Sequence, residues 1–406
     1  MQNLISIHGF PQAVIIRFQE LLMGDWESGL FRPIAWIYPP LMYSLPIGLA
    51  HEVRLTMLLL AFIGPLLYFR RSGASSARLW LTFLLLLAGA AALYEGLLLL
   101  SLQELGGMAL VGLGLAIRKP WMRSGAFLLA ALFKGPFSWV LIADGLLLWR
   151  QGNRRHATAS LLAGGGVLLI NVLWSRQGLN TGGYKTDPLD PELWRSASHI
   201  LEVPTILLAV SMLWFLIATQ LAPRRRDYFI FFTVAAVGYY VQMVPWSITA
   251  YYLGPIAFFF ALLLASVLPD VGTPRSFSFA VAVSVPLLVA LFVTWNSISF
   301  ILRTNEVVRE AVTCLKGEPN SKTAIFGHWL YVTTSIEGPI RIEQNVALLD
   351  PKWSGHVLER TNNPIDLLNG STTHALVIGA NGLPKERPGV AVCSGSSLTL
   401  WKLSGR

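Results

Sequence analysis

Residues 124–149 read SGAFLLAALFKGPFSWVLIADGLLLW, and this stretch decides how the rest of the chain is read. It is apolar enough for a membrane interior, where a crossing helix needs about 20 such residues. It is nevertheless interrupted at Lys134-Gly135-Pro136. Proline cannot continue the hydrogen-bond ladder of a helix, so the pattern predicts two short half-helices that meet at the lysine. An ionisable group at membrane depth is costly and marks a functional position. A helix end and an ammonium group together could hold a phosphate. The bland reading is a lysine that snorkels to the interface.

Working outward, further apolar segments fall at 53–70, 79–94, 105–118, 157–174, 204–222, 227–244, 251–268 and 276–302. Of 406 residues, 54% are hydrophobic and 13% charged, with a mean hydropathy of +0.55. Soluble domains carry about a quarter charged residues. The expectation is a polytopic α-helical membrane protein with on the order of ten membrane helices plus juxtamembrane or re-entrant ones.

The net charge of +9 does not indicate a nucleic-acid partner, because the basic residues sit in short clusters between apolar runs. These are Arg70-Arg71-Arg78, Arg118-Lys119-Arg123, Arg150-Arg154-Arg155 and Arg224-Arg225-Arg226. The positive-inside rule places all four on the cytoplasmic side. Alternating the spans then puts 94–104, 175–203, 245–250 and the C-terminal tail on the external side. Residues 1–52 are expected to be an external juxtamembrane segment. Within it, 13–23 is amphipathic and too short to span, and 36–50, with Pro39, Pro40 and Pro46, is re-entrant, as is tolerated where backbone is buried in protein. The start fits no signal peptide. The expected division is a membrane module over 1–302 and a soluble domain over 303–406.

From Arg303 onward the composition is that of an ordinary soluble domain. Short strand-like runs at 322–326, 340–342, 375–378, 390–392 and 398–401 follow a helix-like stretch at 305–315. A small α/β or α+β domain is expected. Cys314 and Cys393 both lie in it and are read either as a disulfide, if the tail is in an oxidising compartment, or as two buried thiols. No Cys/His spacing marks a metal site, and there is no phosphate loop or nucleophile elbow. No cofactor is called for, a divalent metal ion being the one left open.

Polar residues set against an apolar background supply the candidates for chemistry. Asp25 and Glu27 flank Trp26 in the first external segment. Glu95, with Tyr94, and Gln103-Glu104 bracket a short external loop. The 175–203 loop carries Tyr184, Lys185, Asp187, Asp190, Glu192, Trp194, Arg195 and His199, and Trp246 and Tyr252 lie near the start of a later span. As solvated loop carboxylates and interfacial aromatics these residues need no function, and Asp144 is expected to pair with a neighbouring arginine.

At these positions the chain resembles the GT-C superfamily of integral membrane glycosyltransferases, in particular its polyprenol-phosphate-mannose-dependent and ArnT/PMT-like branch. Trp36-Ile37-Tyr38-Pro39-Pro40-Leu41-Met42-Tyr43 is similar to that family's Pro-Pro-Leu motif, and Arg17 to Trp26 resembles the amphipathic helix before it. The segment around Lys134-Gly135-Pro136 is similar to the family's Lys-Gly-Pro element, and Ser101 to Glu104 resembles its short polar loop. Pro245-Trp246-Ser247 and Tyr252 are similar to a late motif, with Ala250 where that motif has histidine. The resemblance runs in order over about residues 10–300. It departs from the pattern at the N-terminus: a first span is absent, and around His8-Gly9-Phe10, where the family's catalytic aspartate would stand, there is no carboxylate.

The resemblance implies transfer of a hexosyl or pentosyl group from a polyprenyl-phosphate-linked donor to a glycan, lipid or protein acceptor on the external face. It implies a multi-pass protein of the bacterial inner membrane with a periplasmic or extracellular tail. Lys134, Tyr38 and Gln103 would hold the lipid phosphate, and Asp25, Glu27 or Glu104 would serve as the general base. Glu95, Tyr184, Lys185, Trp246 and Tyr252 would line the substrate subsites. The missing aspartate leaves three options: a true start further upstream, use of Asp25 or Glu27 in its place, or an inactive member. Alternative functions are an envelope-glycan polymerase or ligase dependent on Arg176 and Arg195, a lipid-linked-glycan transporter, and a non-catalytic scaffold.

Overall fold

The computed structural model describes residues 10–28, 31–45, 47–89, 103–177, 223–243 and 253–267. Beyond these it describes 288, 295, 306–307, 309–311, 313–315, 317–318, 322–327, 357–360, 373–378, 389–396 and 398–403. The chain divides into two compact units, Asn3–Trp295 and Asn296–Arg406. The described part of the first is helical and the second carries a small sheet.

The first unit contains α1 (Phe10–Ser28), α2 (Pro33–Ser44), α3 (Ile47–Arg71), α4 (Ser76–Gly89) and α5 (Gln103–Ala116). It continues with α6 (Pro120–Phe133), a 3-10 turn (Gly135–Phe137), α7 (Ser138–Arg150), α8 (Arg154–Gln177), α9 (Pro223–Met243) and α10 (Leu253–Val267). Among the described residues two helical stretches, Glu52–Arg71 and Arg154–Trp174, are long and apolar enough to cross a membrane. Ser76–Leu87, Glu104–Ala116 and Gly254–Val267 are apolar but shorter. The expected segment 204–222 lies outside the described residues. So does 276–302, apart from the helical Leu288 and Trp295.

The interruption at Lys134 behaves as the sequence predicts, with α6 ending at Phe133 and α7 opening at Ser138. The N-terminal region differs. Trp36 to Ala50 is shared by two helices: α2 runs through Pro39-Pro40 to Ser44, and α3 has begun by Ile47. After Pro46 no further proline interrupts the helix before Pro65, so the apolar run of α3 extends back past the expected boundary at residue 52.

Helix ends coincide with the basic clusters. Gly73 (φ 84°) and Gly152 (φ 79°) take the left-handed conformation that glycine adopts freely. Each closes a Schellman motif: Ala74 N–H donates to Phe69 O and Gly73 N–H to Arg70 O, and Asn153 and Gly152 repeat this on Leu148 and Trp149. Two arginines cap other helices. Arg71 donates to Ala116 O at the end of α5. The buried Arg78 donates to Ala265 O and Ser266 O at the end of α10, at 2.9–3.1 Å. A cation on these carbonyls also offsets the negative end of the helix dipole. As expected, Asp144 pairs with an arginine, Arg123, at 2.6 Å, with Ser124 donating to its other oxygen at 2.8 Å.

Close backbone packing sets the register. A Cβ on Gly64 would lie 1.9 Å from Gly112 O, so only glycine lets α3 and α5 touch there. Such contacts between small residues are characteristic of helices packed in membranes. Gly64 beside Gly112 and Arg71 beside Ala116 make α3 and α5 parallel.

In the second unit the described residues between 306 and 315 are helical. They precede a sheet of order β2-β1-β3-β5-β4, with β1 (Lys322–Gly327), β2 (Val357–Arg360), β3 (His374–Ile378), β4 (Gly389–Ser394) and β5 (Leu398–Leu403). β1 pairs in parallel with β2 and β3, while β5 is antiparallel to β3 and β4. Four expected strands are present, β2 is additional, and 340–342 lies outside the described residues. Ala375, Val377 and Leu403 form one buried cluster with Trp401, and Leu376, Leu398 and Leu400 are buried as well. Cys314 and Cys393 are joined by a disulfide, with Cα atoms 5.4 Å apart, which ties the helical segment to β4. Glu310 accepts from the Ser396 N–H and hydroxyl at 3.1 and 2.6 Å beside it.

Candidate functional site

Lys134 owes its position to the residues that surround the break. Its N–H donates to Ala130 O to finish α6, and Phe137 N–H donates to Lys134 O to start the 3-10 turn. The rings of Phe133 and Phe137 lie against Gly106 and Gly107 of α5. A Cβ on Gly107 would meet the Phe137 ring at 2.1 Å, and one on Gly106 the Phe133 ring at 2.8 Å. Gly135 sits against Asn171 of α8, whose side-chain oxygen would be 2.5 Å from an added Cβ. Asn171 is itself held by donating to Val167 O at 2.8 Å.

That packing aims the lysine at the first turn of α5. Lys134 Nζ donates to Glu104 Oε1, and both residues are buried, at 9% and 3% exposure. A carboxylate in the first turn of a helix is favoured by the helix dipole. Unpaired, either charge would be prohibitively costly in an apolar interior. Tyr38 closes one side: its ring meets Phe133 edge-on with centroids 5.2 Å apart, and its hydroxyl donates to Met57 Sδ at 3.6 Å.

A second ion pair stands nearby. Arg32, just before α2, grips Asp25 of α1 with two bonds, Nε to Oδ2 at 2.8 Å and Nη2 to Oδ1 at 2.5 Å. Trp36 Nε1 donates to the same Oδ2 at 2.7 Å, and Trp174 Nε1 donates to Asp25 O at 3.4 Å. The rings of Phe31, Trp36 and Trp174 lie within 5.3–6.2 Å of one another. Arg32 is close enough for its charge to bear on Lys134. The parallel register of α3 and α5 also brings Arg54, 1% exposed, to the level of the first turn of α5. The site thus gathers two ion pairs, Lys134–Glu104 and Arg32–Asp25.

Of the residues expected from the sequence, the structure brings together Lys134, Glu104, Tyr38 and Asp25. Gln103 opens α5 beside Glu104, and Glu27 lies in the last turn of α1. Glu95, Tyr184, Lys185, Trp246 and Tyr252 lie outside the described residues. Among the described residues no group of three or more His, Cys, Asp or Glu could hold a metal ion. The sequence reading missed Arg32, Arg54, Asn171 and Trp174. Arg54 stands at the head of an apolar run, but with His51 and Glu52 just before it its signal was weaker than that of Lys134. Arg32 had none, since only the turn between α1 and α2 brings it back to Asp25.

Comparison of this chain with protein families, with curated proteins and with solved structures finds no match.

Proposed function

We propose that this protein is a membrane-embedded glycosyltransferase. It moves a sugar from a polyprenyl-phosphate donor to an acceptor on the external face of the membrane. The observation that carries the reading is the buried Lys134–Glu104 pair at a helix break, beside the Arg32–Asp25 pair. A phosphodiester joining a sugar to a polyprenol brings one negative charge, which the Lys134 ammonium can take over from Glu104.

The chemistry follows from that exchange. The donor phosphate takes Lys134 from Glu104, and the displaced carboxylate is left with an unshared proton acceptor. Glu104 then removes the proton of the acceptor hydroxyl as its oxygen bonds to the anomeric carbon. The anomeric C–O bond breaks, and its electron pair leaves with polyprenyl phosphate, whose charge Lys134 balances. Asp25 is the weaker candidate for this role, because Arg32 and Trp36 already occupy both its oxygens.

Support for the bilayer comes from the apolar faces that the unit leaves uncovered. Leu55, Leu59, Ile63 and Leu67 recur every fourth residue along α3 and are 36–56% exposed. Only 28% of the apolar window of α8 is buried. Faces of this extent suit lipid and not water. The bundle is read as multi-pass, in a bacterial inner membrane, with the disulfide-bearing unit on the oxidising side.

The test is transfer from a polyprenyl-phosphate sugar by purified protein in lipid. Lys134→Ala is expected to lose transfer by about two to three orders of magnitude, the scale of one preorganised electrostatic contact. Lys134→Arg should keep part of it. Unchanged transfer by Lys134→Ala would remove the basis of the proposal. Because both site carboxylates are already engaged, a non-catalytic scaffold is the second reading. It is favoured if wild type binds the donor without turnover.

A further inference from the structure

Away from this site, α3 and α4 enclose a groove of about 580 Å³ lined by Ile63, Leu66, Leu67, Leu79, Trp80 and Phe83 along its length. At one end it becomes polar, where Arg70, Ala74 and Ser76 line it. That end is the start of α4, where Ser75 Oγ caps the Arg78 N–H at 3.3 Å and the positive end of the helix dipole favours an anion. Arg70 is exposed there, and Trp80, 67% exposed, stands one turn further along α4. An apolar slot that ends in a guanidinium, a hydroxyl and a helix N-terminus has the form of a phospholipid, chain and headgroup.

We propose that this groove is a binding site for one anionic phospholipid of the cytoplasmic leaflet. An acyl chain lies between α3 and α4, and the headgroup phosphate sits on Arg70, Ser76 and the first turn of α4. The guanidinium supplies the planar fork suited to phosphate oxygens. Leu67 and Ile63, 36% and 47% exposed, are covered by the chain. The site shares with the functional reading above only the embedding in a bilayer, and does not depend on sugar transfer.

The experiment is native mass spectrometry of the full-length protein, released from detergent after titration with phosphatidylglycerol or phosphatidylcholine. Wild type is expected to retain phosphatidylglycerol in preference. Arg70→Ala should weaken that retention about fivefold, the worth of one basic residue near an anionic lipid surface. Arg70→Lys should restore most of it. Ile63→Trp, which fills the slot and leaves the basic end intact, should reduce retention of both lipids. Equal retention of both lipids by wild type, or wild-type retention by Arg70→Ala, would overturn the site. Sedimentation of the wild type with membranes through an alkaline wash tests the embedding separately. Release into the soluble fraction would overturn embedding and groove together, whereas transfer activity bears on neither.

Discussion

At the scale of single residues, the governing fact is that Lys134 and Glu104 are charges kept out of water. Removing one partner of a buried pair leaves an uncompensated charge, which costs about 3–5 kcal/mol. Replacing both by apolar groups of similar size is close to neutral. Glu104→Leu alone should therefore lower the melting temperature of the detergent-solubilised protein more than the double variant Glu104→Leu/Lys134→Met. If the two singles and the double melted alike, the pair would not be the buried contact described here. Arg32 and Asp25 form a different kind of pair, with Arg32 28% exposed at its side chain and Asp25 6%. Arg32→Lys keeps the charge but cannot reproduce the two-bond grip on Asp25. It is expected to raise KM for the donor more than it lowers kcat, because it disturbs the hold on the α1–α2 turn and not the reacting atoms.

At the scale of elements, the close approach of α3 and α5 is the most fragile join. A Cβ at Gly112 would lie 2.2 Å from Leu60 O, and the atom in its way is backbone, which cannot swing aside. Gly112→Ala is expected to destabilise the bundle by about 1–3 kcal/mol, as overpacking does, and to reduce transfer by pulling Glu104 off level with Lys134. A control at Gly165, where nothing lies within 4 Å of an added Cβ, should tolerate alanine in the same melting assay. These elements also show what the sequence could convey. The break at Lys134 was legible because proline forbids one specific hydrogen bond, and Asp144 because a carboxylate in an apolar run needs a partner. Four tail strands were legible from alternation and β-branched residues. The start of α3 was not, because three prolines between 39 and 46 suggest irregular backbone while only tertiary packing decides where a helix resumes. β2 was missed because Val357-Leu358-Glu359-Arg360 is short and half charged, and its place at the sheet edge depends on a parallel partner distant in the chain. Of the site, Lys134 and the carboxylates were legible and Arg32 was not, since a cluster drawn from α1, α2, α5 and α6 exists only once the helices pack.

At the scale of the whole molecule, the disulfide connects the fold of the tail to the side of the membrane proposed for it. Cys314 and Cys393 are separated by 79 residues, and the loop they close includes β1, β2 and β3. Closing a loop of that length removes about 4.5 kcal/mol of freedom from the unfolded chain in the entropic account. The bond anchors the sheet's outer strand β4, on which Val390 is 68% exposed and Val392 39%. Cys393→Ser should therefore loosen the second unit while leaving the helical unit intact. Limited proteolysis of the full-length protein, with and without reductant, checks this: the tail should become susceptible and the bundle should not. The same bond reports topology. Disulfides persist outside the reducing cytosol, and the proposed alternation of spans, with the basic clusters inside, would put the tail outside. In intact cells quenched with acid, alkylation should label neither cysteine until a reductant is added. Labelling of both without reduction would place the tail in the cytosol. That outcome would move the Lys134 face with it, because both assignments rest on the same alternation, and would leave a periplasmic sugar transfer without a side on which to occur.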